Sequence, residues 1–209
     1  MKVAKKKKID DGSAEQKIKE AARKLFTEKG FDAVKTRDIA AEAGINLALL
    51  NYYFRSKEKL FDIVMIENFE QFIQQLIPVF GNEGLSVEER FVQITTRYIE
   101  MLKANPDLPF FIMNQMRGDS SKLLAVREKM ANVRDAFLQN IGKNMAGGKV
   151  TQTNIAHFMM NYMGLIIFPF IARPMLMKVN NLSKKEFDDL MEERKALVPL
   201  WLNAIMKAK

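Results

Sequence analysis

Few side chains in this sequence can carry covalent or metal chemistry. The 209 residues include no cysteine, which excludes a thiolate nucleophile, a disulfide framework and a cysteine zinc site. The single histidine, His157, would have to build a catalytic triad or a metal site alone. The acidic pair Asp188 and Asp189 is expected on a charged helix face. The sequence therefore predicts no enzymatic activity, no metal site and no cofactor.

Basic residues are concentrated near the amino terminus, which points to an anionic partner. The formal net charge is +8 and the isoelectric point is about 9.5. Residues 1–60 hold 15 lysines and arginines against 9 aspartates and glutamates, whereas residues 61–209 hold 18 against 16. This asymmetry indicates a small basic module joined to a nearly neutral one, with nucleic acid or a membrane surface as the candidate partner.

The basic module contains a segment with the pattern of a helix-turn-helix. Residues 36–54 read TRDIAAEAGINLALLNYYF, which predicts two short helices joined at Gly44. Glycine permits the positive φ of a tight turn, and the small Ala40 and Ala43 allow the two helices to approach closely. An ordinary corner between two helices is the alternative interpretation. The basic flanks and the amphipathic helix that precedes the pair favour a DNA-binding module.

Apolar residues recur at helical spacing over nearly the whole chain, so the helix-turn-helix segment is expected to be surrounded by further helices. Capping boxes are predicted at the start of three helices, by Ser13 with Gln16, by Ser86 with Glu89 and by Ser183 with Glu186. Asn46 is expected to cap the third helix, and Ser56 to cap a fourth that runs to Phe80. Gly30 is expected to end the first helix.

An apolar stripe predicts one helix from residue 123 to the glycines at 147 and 148, and residues 158–172 are expected to form a buried helix. Pro199 is expected to kink or split the last helix. No alternating strand pattern exceeds chance. We predict an all-α fold of about nine helices.

Three regions follow from this pattern. A basic disordered arm is expected at residues 1–12, a helix-turn-helix domain at 13–61, and a larger helical domain at 62–209. The run from Lys5 to Lys8 in the arm can follow the phosphate backbone or reach the minor groove, as basic arms do. A solubilising tail is the alternative for this run.

Residues 14–61 resemble the DNA-binding domain of the TetR/AcrR family of bacterial transcriptional regulators. The matching segments are AARKLFTEKGFDAVKTRDIAAEAGI and NYYFRSKEKLF. The resemblance implies that the helix of residues 46–54 enters the major groove and that Thr36 and Lys57 contact phosphates. The alternatives are an N-cap role for Thr36, a solvated charge at Lys57 and a core aromatic at Tyr53. The full set of expected DNA-binding residues is Thr36, Arg37, Asn46, Leu47, Ala48, Leu49, Asn51, Tyr52, Tyr53 and Lys57.

The outward positions of this helix are unusually apolar for the family. Residues 47–49 are Leu-Ala-Leu, whose methyl groups have the thymine C5-methyl as their distinctive partner in the major groove. Asn51 can pair with adenine through two hydrogen bonds, although a phosphate contact or a simple surface position is also open to it. The helix contains no Arg or Lys. The sequence therefore predicts A·T-rich half-sites, unless Arg37 or Arg55 supplies a guanine contact from the flanks.

Residues 62–209 resemble the family's effector domain in length and helix content, which implies a ligand-binding and dimerisation domain. Its methionine and aromatic side chains can line an adaptable apolar pocket, and a methionine-rich core is the simpler alternative. In the family, the last two long helices form a four-helix bundle with the partner chain. The expected effector contacts are Phe111, Gln115, Met116, His157, Met160 and Asn161, and the expected dimer contacts are Phe187, Leu190, Leu197, Trp201 and Ile205.

These patterns together predict a homodimeric, ligand-responsive transcription factor. We expect a repressor that a small, largely apolar effector releases from a palindromic operator in double-stranded DNA. The most apolar stretch, residues 158–172, is too short for a membrane span, and no signal-peptide pattern follows the basic amino terminus. The expected location is the cytoplasm, with no membrane partner. A membrane-surface binding protein and an enzyme without a recognisable motif are the alternatives.

Overall fold

A computed structural model describes residues 11–117, 121–128, 131–144 and 152–207 of the chain. Within these ranges every regular element is an α-helix, and the all-α prediction is confirmed. The expected arm with its lysine run lies outside the described residues, except for its last two positions, which begin the first helix. The helices are α1 (Asp11–Lys29), α2 (Thr36–Glu42), α3 (Leu47–Phe54), α4 (Lys57–Phe80), α5 (Val87–Ala104), α6 (Leu108–Arg117), α7 (Ser121–Glu128), α8 (Ala131–Asn144), α9 (Gln152–Ile171), α10 (Arg173–Val179) and α11 (Lys184–Lys207).

The chain divides into two compact units, Met1–Glu67 and Asn68–Lys209. The division falls within α4, which therefore contributes residues to both units. The boundary expected from the sequence, between residues 61 and 62, lies in the same helix less than two turns earlier.

The first unit is built from α1, α2, α3 and the first part of α4. Ile39, Leu50 and Leu60 are fully buried, one from each of α2, α3 and α4. Gly30 ends α1 as expected, with φ 78° and its N–H donating to the Phe26 carbonyl at 2.9 Å. Apolar residues of α1 recur at three- and four-residue spacing and bury one face of that helix. They are Ala14, Ile18, Ala21, Ala22, Leu25 and Phe26.

The start of α1 differs from the prediction. The helix already includes Asp11, so Ser13 is its third residue and not the N-cap of a box with Gln16. The Gln16 side chain donates instead to Glu20 at 3.1 Å. An aspartate is favoured in the first turn of a helix by the helix dipole, which accounts for the earlier start.

The second unit packs α5 against α9 and α11 around one apolar core. The capping box that opens α5 is present, with the Glu89 N–H donating to Ser86 Oγ at 3.2 Å. Phe91 is fully buried at the centre of an aromatic cluster. Its ring centroid lies 5.4 Å from that of Phe158 on α9 and 5.8 Å from that of Phe137 on α8.

Eleven helices are described, compared with the expected total of about nine. The apolar stripe that predicted one helix from residue 123 to the glycines at 147 and 148 forms two helices, α7 and α8, and those glycines lie outside the described residues. Helix α10 is an addition that begins with Pro174 in its first turn, where a missing N–H leaves no helical hydrogen bond unmade. Pro199 does not split α11, which runs unbroken through it.

The buried helix expected over residues 158–172 is part of α9, which is buried on one side. Met160 and Phe168 are exposed on its other side. In the described part of the chain, no single helix is long and apolar enough to cross a membrane. One bent pair, Ile155–Ile171 with Arg173–Val179 at 68°, reaches that length and composition together. Four buried residues of α9 follow a four-residue spacing, and they are Phe158, Tyr162, Ile166 and Phe170.

Candidate nucleic-acid interface

Helices α2 and α3 form the predicted helix-turn-helix. The turn is closed by two hydrogen bonds, in which the Gly44 N–H donates to the Ala41 carbonyl at 3.1 Å and the Ile45 N–H to the Ala40 carbonyl at 3.0 Å. Gly44 has φ 68°, in the left-handed region that favours glycine. The turn therefore uses this glycine in the way the sequence predicted.

Asn46 is the N-cap of α3. Its Oδ1 accepts the Leu49 N–H at 2.8 Å and satisfies one of the first backbone donors of the helix. The side-chain NH₂ group of Asn46 keeps its capacity to donate to a ligand. Asn46 thus has a structural role in addition to the DNA contact expected of it.

One face of α3 is exposed. Leu47, Ala48, Asn51 and Tyr52 are all exposed, and they lie at i, i+1, i+4 and i+5, which is the spacing of a single helix face. Tyr52 protrudes most, with 76% of its surface accessible. The opposite face includes Leu50 and is buried in the unit. The packing of α3 therefore leaves four of the predicted DNA-binding side chains on the surface.

Four further predicted contacts lie at other positions of α2 and α3. Leu49 and Tyr53 are half-buried on α3. Thr36 is half-buried as the first residue of α2, and Lys35 precedes it as the N-cap, so Thr36 has no N-cap role. The Arg37 side chain is 72% exposed, and its Nε lies 3.9 Å from Asp38 Oδ1.

Lys57 has partners within the protein. Its Nζ donates to the carbonyl oxygens of Phe31 at 3.0 Å and Val34 at 3.1 Å. The same atom lies 4.0 Å from the centroid of the Phe31 ring, in cation–π geometry. The ammonium group therefore holds the loop between α1 and α2, which leads directly into the helix-turn-helix. The phosphate contact that the family resemblance implies for Lys57 stays a prediction.

Ion pairs link the helices that support α3. Glu67 on α4 accepts from Lys19 Nζ at 2.8 Å and from Arg23 Nη2 at 2.9 Å, both on α1. Lys24 of α1 donates to Glu42 of α2 at 2.6 Å, and this hydrogen bond together with the Glu42 charge raises the pKa of Lys24. Part of the positive charge of this unit is thus used in its own structure.

The structure shows an unusual backbone conformation at Arg55. This residue ends α3 as the C-cap with φ 54°, and its N–H donates to the Asn51 carbonyl at 3.0 Å. A residue other than glycine costs roughly 1–2 kcal/mol in this backbone region, and such strain clusters at functional sites. Its exposed side chain follows the exposed face of α3. A basic residue directly after α3 is the signal in the sequence that pointed to Arg55 as a flanking contact.

The expected effector contacts lie on α6 and α9, which pack against each other. Phe111 is buried and Gln115 is half-buried, whereas Met116, His157, Met160 and Asn161 are exposed. A cavity of about 380 Å³ in the same unit lies among α9, α10 and α11, and none of these six residues lines it.

The expected dimer contacts differ in exposure, and one of them is buried within its own chain. Leu190, Leu197 and Trp201 are exposed on α11, and Ile205 is half-buried. Phe187 is 1% exposed and packs its ring 6.0 Å from that of Phe170 within its own chain. The structure therefore places Phe187 in the core, because it points from α11 toward α9 and not outward.

Within the described ranges, no group of three or more histidine, aspartate or glutamate side chains could hold a metal ion. His157 is exposed on α9.

Replacing Gly44 with alanine is expected to destabilise the protein by about 1 kcal/mol. The added Cβ would meet no atom within 4 Å, so the cost comes only from the backbone at φ 68°. Gly44→Asn should cost less, because asparagine tolerates the left-handed region. Urea unfolding measures both variants. Equal stability of Gly44→Ala and the wild type would contradict the turn geometry.

Replacing Lys57 with alanine is expected to destabilise the protein by roughly 1–3 kcal/mol, because two partly buried carbonyl groups lose a charged donor. Lys59→Ala is the matched control, since this lysine lies on the same helix and is exposed. Thermal unfolding compares the two variants. A purely phosphate-binding Lys57 would leave stability unchanged and would lower only the affinity for DNA and its salt dependence.

Comparison with known proteins agrees with this geometry. Residues 18–64 match the bacterial regulatory proteins of the tetR family. Over 203 residues the chain is 23% identical to "Probable HTH-type transcriptional regulator YttP" of Bacillus subtilis (strain 168), an alignment that covers 93% of this chain and 95% of that protein.

Solved structures show the same fold. A TetR/AcrR-family regulator from Thermobifida fusca aligns with a TM-score of 0.60 at 18% identity, covering 88% of this chain and 96% of the other. The TetR-family regulator PfmR from Thermus thermophilus aligns with a TM-score of 0.58 at 17% identity, covering 88% and 97%. Residues 18–64 therefore form a helix-turn-helix domain of the tetR-family type, and the chain as a whole shares its all-α fold with solved regulators of that family.

Proposed function

We propose that the protein is a homodimeric repressor that binds a near-palindromic operator and is released from it by a small, largely apolar effector. The exposed face of α3 carries the proposal. Its four exposed side chains lie on a helix whose opposite side is fully used in packing. In a helix-turn-helix, the second helix is the one that enters the major groove.

The chemistry of this face favours A·T-rich half-sites. Leu47 and Ala48 offer only methyl groups to the groove, and the amide of Asn51 can form two hydrogen bonds with adenine. Arg37 and Arg55 lie at the two ends of the helix-turn-helix and are exposed, which suits phosphate contacts. Phosphate contacts of Arg37 and Arg55 would thus position the protein on DNA, and the exposed face of α3 would recognise the bases.

Two exposed apolar stripes support the homodimer. On α11 the exposed residues include Leu197, Leu200 and Trp201, and on α9 they include Met160 and Phe168. Both sets follow helical spacing, and α9 packs against α11. Contiguous apolar surface of this kind marks interaction sites. We place the interface between two copies of the chain on this surface, which is called the α9–α11 surface below.

Release by an effector follows from linkage between binding sites. An effector that binds better to a conformation with low DNA affinity lowers operator affinity by the ratio of its two affinities. Helix α4 begins in the first unit and ends in the second, so a change in its position can affect both. We propose α4 as the element that transmits effector binding.

Sedimentation and operator titration test the assembly. We expect a dimer at micromolar concentration and two protomers on a duplex whose half-sites are about one helical turn apart. Titration with short duplexes that carry one or two half-sites measures this stoichiometry. A monomer in solution, or one protomer on the complete site, would contradict the proposal.

A further inference from the structure

Arg90, on the first turns of α5, is a buried cation without an acidic partner. It is 6% exposed, and no aspartate or glutamate in the described part of the chain forms an ion pair with it. Its Nη1 donates to the Phe80 carbonyl at the end of α4, at the long distance of 3.5 Å. Its Nε is buried and has no hydrogen-bond partner. Such an arrangement is costly, because a buried charge is normally paired.

The other buried polar residues of this unit do have protein partners. Thr95 is fully buried, and its hydroxyl lies 3.3 Å from the Tyr162 hydroxyl. Asn68 donates to Asn105 Oδ1 at 2.6 Å. Of these three buried polar residues, Arg90 is the one with a nitrogen that has no partner; Arg134 and Asn203, which are half-buried, also have one such atom each. A buried charged group in this state calls for a ligand or another compensating group.

The surroundings of Arg90 are aromatic. The guanidinium carbon lies 5.7 Å from the Phe137 ring centroid, and the Phe137 ring packs at 5.0 Å on Phe80 and at 5.8 Å on Phe91. A second unpaired donor belongs to the helix that carries Phe137, because Arg134 precedes Phe137 by three residues on α8, which is the spacing of one helix face. The Arg134 Nη1 atom is buried and has no partner, although its other nitrogens bind Asp135.

We propose that Arg90 is the receptor for the anionic group of the effector, assisted by Arg134. The effector would be a small molecule with one carboxylate or similar monoanion on an apolar body that packs on the Phe137 cluster. This inference rests on the proposed function, because it assigns the chemical class of the proposed effector. A guanidinium in an apolar site suits a carboxylate, which it can bind through two parallel hydrogen bonds.

The probes are octanoate, decanoate and dodecanoate, each paired with the neutral alcohol of the same chain length. Binding to the free protein is measured by isothermal titration without DNA. We expect at least one acid to bind about tenfold or more tightly than its alcohol, which corresponds to a charged hydrogen bond. Arg90→Met should bring the acid to the affinity of the alcohol, and Arg90→Lys should restore part of the preference.

Arg97→Met is the matched control. Arg97 also lies on α5 and donates to a backbone carbonyl of α4, that of Gln75 at 3.3 Å, but it is not buried. We expect it to keep the preference for the acid. Without ligand, Arg90→Met should unfold at the same or a higher temperature than the wild type, because replacing a buried charge by an apolar side chain is often neutral or stabilising.

Equal binding of acids and alcohols by the wild type, an acid preference that survives in Arg90→Met, or no binding of any probe would overturn the inference. Measurements of operator binding distinguish a failure of this inference from a failure of the proposed function. Release of the operator by neutral apolar molecules alone would leave the repressor proposal standing and remove the role of Arg90. Acid binding through Arg90 in a protein that binds no specific DNA would remove the repressor proposal and keep the anion site.

Discussion

Replacing Ala48 with glutamate is expected to lower the affinity for DNA about a hundredfold or more, without loss of the fold. Ala48 lies on the exposed face of α3, so a carboxylate there would face the negative charge of the groove in both protomers. Like charges across an interface cost several kcal/mol, and each 1.4 kcal/mol is about a factor of ten. Fluorescence anisotropy with labelled duplexes measures the loss.

The stability of the Ala48→Glu protein should increase, although its affinity for DNA falls. Ala48 is the second residue of α3, where an acidic side chain interacts favourably with the helix dipole by roughly 0.3–1 kcal/mol. Ala48→Gln has nearly the same size without the charge and should bind DNA better than Ala48→Glu. Ala136→Glu makes the same change in net charge at an exposed site on α8 and should bind like the wild type. Normal DNA binding by Ala48→Glu would show that α3 does not face DNA.

Replacing Gly164 with leucine is expected to weaken the dimer by about thirtyfold or more. Gly164 is exposed on α9, between Met160 and Phe168 of the α9–α11 surface. An inserted side chain in a packed interface costs roughly 1–3 kcal/mol, and a two-fold interface contains each residue twice. Analytical ultracentrifugation measures the dissociation constant, and operator affinity should fall with it.

The single chain should tolerate this leucine. A Cβ at Gly164 meets no atom within 4 Å, and leucine has a higher helix propensity than glycine by nearly 1 kcal/mol. Gly164→Ala should weaken the dimer less. Gln74→Leu adds an exposed leucine to α4 and should leave the dimer intact. An unchanged dimer in Gly164→Leu would place the interface elsewhere.

Features that depend on neighbouring residues could be predicted from the sequence. The N-caps at Asn46, Ser86 and Ser183 each accept the N–H three residues ahead, as their side chains and spacing indicated. The left-handed turns at Gly30 and Gly44 are equally local. Because such interactions involve only a few adjacent residues, the sequence contains all that determines them.

Features that depend on tertiary contacts could not be predicted. The partners of Lys57 are carbonyl groups of Phe31 and Val34, which are brought to it only when the first unit folds. The apolar stripe of α11 gave no sign that Phe187 is buried while Trp201 remains exposed. The burial of Arg90 likewise requires the end of α4 and helix α8 to pack around it. In each case the deciding neighbours lie far away in the sequence.

Selection of binding sites from random duplexes determines whether the exposed face of α3 recognises operator bases. We expect a near-palindromic consensus with A·T-rich half-sites at the positions that this helix protects, as follows from the apolar side chains and Asn51 on that face. We also expect Asn51→Ala to relax the preference for adenine at one position per half-site, by about 1–3 kcal/mol. Half-sites rich in G·C at the protected positions, or an unchanged preference in Asn51→Ala, would contradict this role of α3.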